Sequence, residues 1–386
     1  MGPVWGEKIT VARDHRKKPA RLAASWLGAV LAAGCPALAQ VSTNALRFYG
    51  TGVGPPGQQD RVRIQIDDNA PGPDASAPVD VGAASFTIEF WLRGTLADNP
   101  APGGAPGSEC FCFNWIFGNV IVDRDIWGAS SRDWGISLAG GRVRFGTGRA
   151  DVAPLDEEHT LEGSVNVLDG TWHHVACVRD AGSGVKRIYV DGILDFASPP
   201  NRSRDDISYP DHGDPAPVTP WGPYIVLAAE KHDAGPEFPS FRGYLDEIRI
   251  WSVARSAAEL AATFERLVPA DSPGLVAYYR FEEGSGTAIN DTSATGSPIG
   301  QLIAGVSGNG EWVAHAMNPL NTAPLVPIPG DLNDDGRVNA NDRALFVGVL
   351  LGINTDPYHV ARSDLDGDGL ADARDIQPFV AALLGI

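Results

Sequence analysis

Positive charge is what this chain is short of: 30 lysines and arginines face 48 aspartates and glutamates, for a formal net charge of −18. So large an acidic excess repels phosphate backbones and anionic bilayers, and argues against a nucleic-acid or membrane-surface role. Methionine is almost missing, at 2 residues in 386, whereas 45 glycines and 30 prolines punctuate the chain. That balance disfavours a helical protein and suits a loop-rich β fold. No apolar run is long enough to span a bilayer. The best one, residues 22–34, follows Arg16-Lys-Lys18 and Arg21 and precedes Ala37-Leu38-Ala39. This pattern predicts a signal peptide over 1–39, cleaved before Gln40, and a secreted, extracellular or cell-surface protein. A rival lipoprotein box, Leu31-Ala-Ala-Gly-Cys35, is weakened by Ala32. Catalytic signatures are missing too: neither G-x-S-x-G nor H-E-x-x-H occurs.

Cysteine is sparse. Beyond the leader only Cys110, Cys112 and Cys177 remain. Two residues apart, Cys110 and Cys112 make an awkward mutual bridge, so one is expected to pair with Cys177 and one to be left over. A zinc site completed by His173 or His174 is the lesser alternative.

What is present is period-two patterning over the long middle. Phe86, Ile88, Phe90 and Leu92 alternate with Thr87, Glu89, Trp91 and Arg93, which puts the two sets on opposite faces of a strand. Hairpins are expected at Gly140-Gly141 and at Asp191-Gly192, whose residue types tolerate the positive φ of tight turns. One good helix is predicted over 256–266, with Ser256 and Glu259 as its capping box. Many short strands and few helices predict a β-sandwich.

The C-terminal region is different. It reads Asp331-Leu-Asn333-Asp-Asp335-Gly336-Arg337-Val-Asn339-Ala-Asn-Asp342, and the pattern returns 33 residues on as Asp364-Leu-Asp366-Gly-Asp368-Gly369-Leu370-Ala-Asp372-Ala-Arg-Asp375. Oxygen-bearing side chains fall at positions 1, 3, 5, 9 and 12, with glycine at position 6 to permit the bend. A calcium loop needs that spacing. An apolar helix follows each loop, but prolines upstream, Pro357 among them, argue against helices before them.

Residues 330–386 therefore resemble a type I dockerin, a small calcium module that docks onto cohesin domains. The resemblance implies that Asp331, Asn333, Asp335, Asp342 and the Arg337 carbonyl hold one Ca2+. It implies that Asp364, Asp366, Asp368, Asp375 and the Leu370 carbonyl hold a second, with Asn339 and Asp372 acting through water. The sequence departs from the family at the contact positions, which carry Ala340-Asn341 and Ala373-Arg374, and where basic pairs are usual it has Val347-Gly348 and Val380-Ala381.

A second resemblance rests on Ser85-Phe-Thr-Ile-Glu-Phe-Trp91, Asp169-Gly-Thr-Trp-His-His-Val-Ala176, Arg187-Ile-Tyr-Val-Asp-Gly-Ile193 and Gly243-Tyr-Leu-Asp-Glu-Ile-Arg-Ile-Trp251. In this order they are similar to laminin G-like domains of the concanavalin A-like jelly roll. The expected organisation is signal peptide 1–39, jelly roll 40–322, Pro-rich linker 323–329 and dockerin-like module 330–386. The jelly roll implies a structural calcium at Asp246, with Asp60 nearby. Asp246 is expected to share a buried face with Tyr244, Ile248 and Ile250, and Glu247 to face away, so the two carboxylates cannot flank one glycosidic bond. Trp221 is a candidate for stacking on a sugar ring.

The reading is thus a mainly β, non-catalytic binding protein. Its jelly roll takes a polysaccharide or another extracellular surface ligand, and its calcium-dependent tail takes a cohesin-like partner. The alternatives are an extracellular glycosidase and an adhesive surface protein without a cohesin.

Overall fold

The computed structural model describes residues 44–50, 60–67, 77–112, 114–126, 132–148, 158–209, 223–232, 234–303, 311–314, 328–333 and 337–386. The signal segment, Trp221, Asp335 and most of the expected linker lie outside them.

Two antiparallel sheets carry the middle of the chain. The first has eight strands. Its path runs Ile193–Ala197, Val185–Val190, Asp169–Asp180, Phe86–Thr95, Arg242–Trp251, Asn44–Tyr49 and Glu311–Ala314, and Leu275–Tyr279 also pairs with Arg242–Trp251. The second has nine: Ala288–Ile289, Gly300–Ile303, Arg61–Gln65, Tyr224–Leu227, Asn119–Arg124, Trp134–Ala139, Arg142–Gly148, Glu158–Glu162 and Ser108–Cys110. Strand order departs from chain order in both, as a jelly roll requires.

The core lies between the sheets. Phe86, Ile88, Phe90 and Leu92 all enter it, as their alternation predicts, and meet Trp134, Ile136, Val143 and Phe145 from the facing sheet. Phe86 packs 5.2 Å from Trp134 and edge-on to Phe145. Burial of each such side chain contributes about 1.5–3 kcal/mol. Both hairpins turn where expected, with φ of 57° and 79° at Gly140 and Gly141 and 50° and 73° at Asp191 and Gly192.

Three expectations fail, each for a local reason. A β-bulge shifts the register of Arg242–Trp251 between Asp246 and Arg249, and Glu247 takes φ 52°. The extra residue reverses the alternation. Leu245, Ile248 and Ile250 point into the core, while Asp246 lies opposite Trp91 on the outer face. Glu247 joins it there, bonded to Tyr278, itself part of the outer cluster around Trp91 and Trp251. The premise that the two carboxylates face apart is therefore wrong. Secondly, Cys110 and Cys112 bond to each other, and Cys177 is a buried free thiol in the inter-sheet core. Thirdly, a helix, Pro357–Ser363, does precede the second loop. Proline at a first helical position loses no hydrogen bond and presets φ.

The tail packs around its own small core of Leu332, Phe346, Val349 and Phe379. Its long helices are Arg343–Leu350 and Ile376–Leu384. No described helix is long and apolar enough to cross a membrane.

Candidate functional site

The two tail loops are built alike. In the first, Asp342 is buried, and its carboxylate accepts N–H bonds from Leu332 (2.7 Å), Asn333 (3.1 Å) and Asn339 (2.8 Å). In the second, the buried Asp375 accepts from Leu365 (2.7 Å), Asp366 (3.0 Å) and Asp372 (2.8 Å). Position 12 thus ties both ends of each loop together, and the short aspartate reaches these amides directly. Asp364 gathers the N–H groups of Gly367, Asp368 and Gly369, and Asp372 caps Arg374 N–H at 2.7 Å.

Asp364, Asp366 and Asp368 each aim a carboxylate oxygen into one space, within 4.8 Å of each other. Charges that close repel by about 1 kcal/mol per pair even in water, and by more where water is scarce. The Arg374 guanidinium stands beside them, 2.6 Å from Asp368 Oδ2 and largely exposed. An all-oxygen, carboxylate-rich set suits a hard cation such as calcium, so the residues fit the ion that their spacing implies. In the first loop Asp331 is buried, Asn333 and Arg337 are exposed, Asn339 is half-buried, and Asp335 lies outside the described residues. Leu370 is exposed.

The sandwich carries two further charged clusters. On the outer face of the eight-stranded sheet, buried Glu89 pairs with Arg255 at 2.6 Å and with Arg249 and His174 at 3.5 Å each. Burial alone would raise its pKa. His174, Arg255 and Arg249 outweigh burial and hold it at about 2. Glu247 sits between Tyr278, Arg249 and Arg280. Motifs of the middle region therefore meet in one buried ionic lattice, in which Glu247 is buried. Asp246 is buried and accepts Glu247 N–H.

The other cluster was not visible in the sequence. Asp125, Glu230 and His232 are all buried and bring their ligand atoms within 4.8 Å of each other. His232 Nδ1 lies 2.9 Å from Asp125 and 3.4 Å from Glu230, and Lys231 Nζ lies 3.6 Å from Asp125. Burial would lower the His232 pKa, but Asp125 and Glu230 carry it up to about 9. Burial raises Asp133 to about 8, with Asp125 adding to it. Two short segments a hundred residues apart supply the cluster, and neither has a local signature. Asp246 belongs to neither this group nor the tail group. Among the described residues, those two are the groups of His, Cys and acidic side chains close enough to share an ion.

His173 is held by Asp191 at 2.8 Å and by Asp169 at 3.2 Å. Its hydrogen bond to Asp191 raises its pKa. It braces a turn, and among the described residues no cysteine joins it in a metal-sized group.

With this geometry established, comparison with known proteins gives two family matches. The model of the concanavalin A-like lectin/glucanases superfamily matches residues 67–261, and that of the dockerin type I domain matches residues 329–384. No curated protein matches the chain. Among solved structures, a candidate carbohydrate binding protein from Bacteroides ovatus is similar at 19% identity, TM-score 0.45, over 74% of this chain and 62% of that one. The chain thus spans less than two thirds of that protein. An SAP-like pentraxin from Limulus polyphemus is similar at 13% identity, TM-score 0.34, over 57% of this chain and 82% of its own. The CBM40 of a Ruminococcus gnavus IT-sialidase is similar at 14%, TM-score 0.33, over 47% and 84%.

Proposed function

Because the chain belongs to the concanavalin A-like lectin/glucanases superfamily and carries a dockerin type I domain, we propose that it is a secreted, non-catalytic binding protein of two modules. The sandwich binds a carbohydrate or another extracellular surface. The tail takes up two calcium ions and docks onto a cohesin-like protein. The observation that carries this reading is the convergence of Asp364, Asp366 and Asp368 in a loop whose closing aspartate repeats the bonds of Asp342.

Asp331, Asn333, Asp335 and Asp342 would hold one ion with the Arg337 carbonyl. Asp364, Asp366, Asp368 and Asp375 would hold the other with the Leu370 carbonyl. Calcium here neutralises crowded carboxylates and so stabilises a module too small to rest on its core alone. Val347 and Val380, 33 residues apart, are 44% and 45% exposed. They give equivalent positions of the two exit helices apolar surface where the family usually has basic pairs, so the partner should present a matching apolar face.

Calorimetry tests the metal reading. The full chain should bind two calcium ions, and Asp331→Ala with Asp364→Ala should bind neither. Tight binding that survives the double change would falsify the ligand assignment. Release of reducing sugar from any polysaccharide by the purified chain would replace the binding reading with a glycosidase.

A further inference from the structure

The outer face of the eight-stranded sheet is not closed throughout. One end is covered by the Trp91–Trp251 cluster. Next to it, a row of half-buried side chains crosses four adjacent strands in register: Arg47 opposite Tyr244, Tyr244 opposite Arg93, and Arg93 opposite Trp172, which itself packs against that cluster. Strand spacing makes the row about 14 Å long, enough for more than one sugar ring. Cations and aromatic rings alternate along it. The Arg47 guanidinium lies 4.4 Å from the Tyr49 ring centroid and 5.4 Å from that of Tyr244. Arg93 lies 5.7 Å from Tyr244 on the other side, and Trp172 packs 6.2 Å from Tyr244.

Beside this row is a pocket of about 120 Å3, lined by Arg47, Arg93, Arg242, Asp98 and Tyr244. A shallower hollow of about 360 Å3 shares Asp98 and Arg242 with it and extends past Tyr49 and Asn119. Arg93 is oriented by an Nε–H bond to the Gly170 carbonyl at 2.7 Å, and Arg242 stands 3.5 Å from Asp98. Three guanidinium groups and one carboxylate line the pocket, and Glu311 stands opposite Arg47 in register on the next strand, which still leaves a local positive excess in a chain of net charge −18. Guanidinium forks match carboxylates and sulfates edge-on, and aromatic faces match the apolar face of a pyranose.

We infer that this row and pocket form a binding site for an acidic saccharide, one bearing uronate carboxylates or sulfate esters. The inference rests on the sandwich being a glycan binder and names the class of glycan. The saccharide lies along the row, its rings over Tyr244 and Trp172 and its acid groups toward Arg47, Arg93 and Arg242. The acidic remainder of the molecule repels the same polymer elsewhere, so binding is confined to this strip.

The test is calorimetry on the full chain with three probes: a galacturonate trisaccharide, a sulfated chondroitin tetrasaccharide and neutral cellotetraose. At least one acidic probe should bind, and more weakly as salt rises. Arg47→Gln and Arg242→Gln should each weaken it by about tenfold or more, as loss of a charge-assisted hydrogen bond does. Thermal melts check that each variant is folded. Which acidic probe binds identifies the acid group. Neutral sugar binding indifferent to Arg47→Gln, with neither acidic probe bound, overturns this site and leaves the glycan-binding reading standing. Acidic binding that survives both arginine changes also overturns it. Failure of all three probes removes both.

Discussion

Phe346 and Phe379 occupy equivalent places in the two tail repeats, 33 residues apart, and meet as a parallel stack with centroids 4.0 Å apart. That contact comes from the repeat visible in the sequence, as do the twin bonds of Asp342 and Asp375. His232 could not be read the same way. Glu230 is its near neighbour in the chain, but Asp125 reaches it only through pairing of distant strands, and the residues beside it give no sign of burial. Its charge does set a pH dependence. A histidine whose folded pKa is raised from about 6.5 to about 9 stabilises the fold fully below pH 6.5 and loses that contribution as pH climbs through 9. Asp133, raised to about 8, acts in the same direction, since the folded state keeps a proton that the unfolded chain has released. Urea midpoints should therefore fall between pH 6.5 and pH 9. His232→Gln should flatten that slope; an unchanged slope would remove His232 as its source.

Elements were legible where one rule governs them. The helix Ala257–Thr263 forms with Ser256 as its N-cap, and Ser256 and Glu259 exchange the expected bonds. Ser256→Ala should cost about 1 kcal/mol, read as a lower urea midpoint with an unchanged m-value. A larger cost would mean that the helix also anchors Arg255, which bonds Glu89 beneath it. Rules failed where two compete. Period two places Ile248 and Ile250 correctly on the buried face but carries Tyr244 and Asp246 there with them, because no residue type announces the bulge between. Pro357 can break a helix that reaches it or start one of its own, and here it starts one.

For the molecule as a whole, composition and motif order were enough to indicate a sandwich followed by a paired-loop module. What they left unseen is how the outer sheet faces are finished, because side chains from remote loops cover them. Trp115 is the clearest case. It lies buried across Gly135 and Gly146 on neighbouring strands of the nine-stranded sheet, and a methyl group at either glycine would fall inside its ring. The sheet thus holds a ready-made socket, and the protein supplies its own plug. Trp115→Gly should lower stability by about 3–5 kcal/mol and leave a hollow the size of an indole. Free indole added to that variant should raise its melting temperature while leaving the unaltered protein indifferent, turning a structural residue into a receptor for a small molecule.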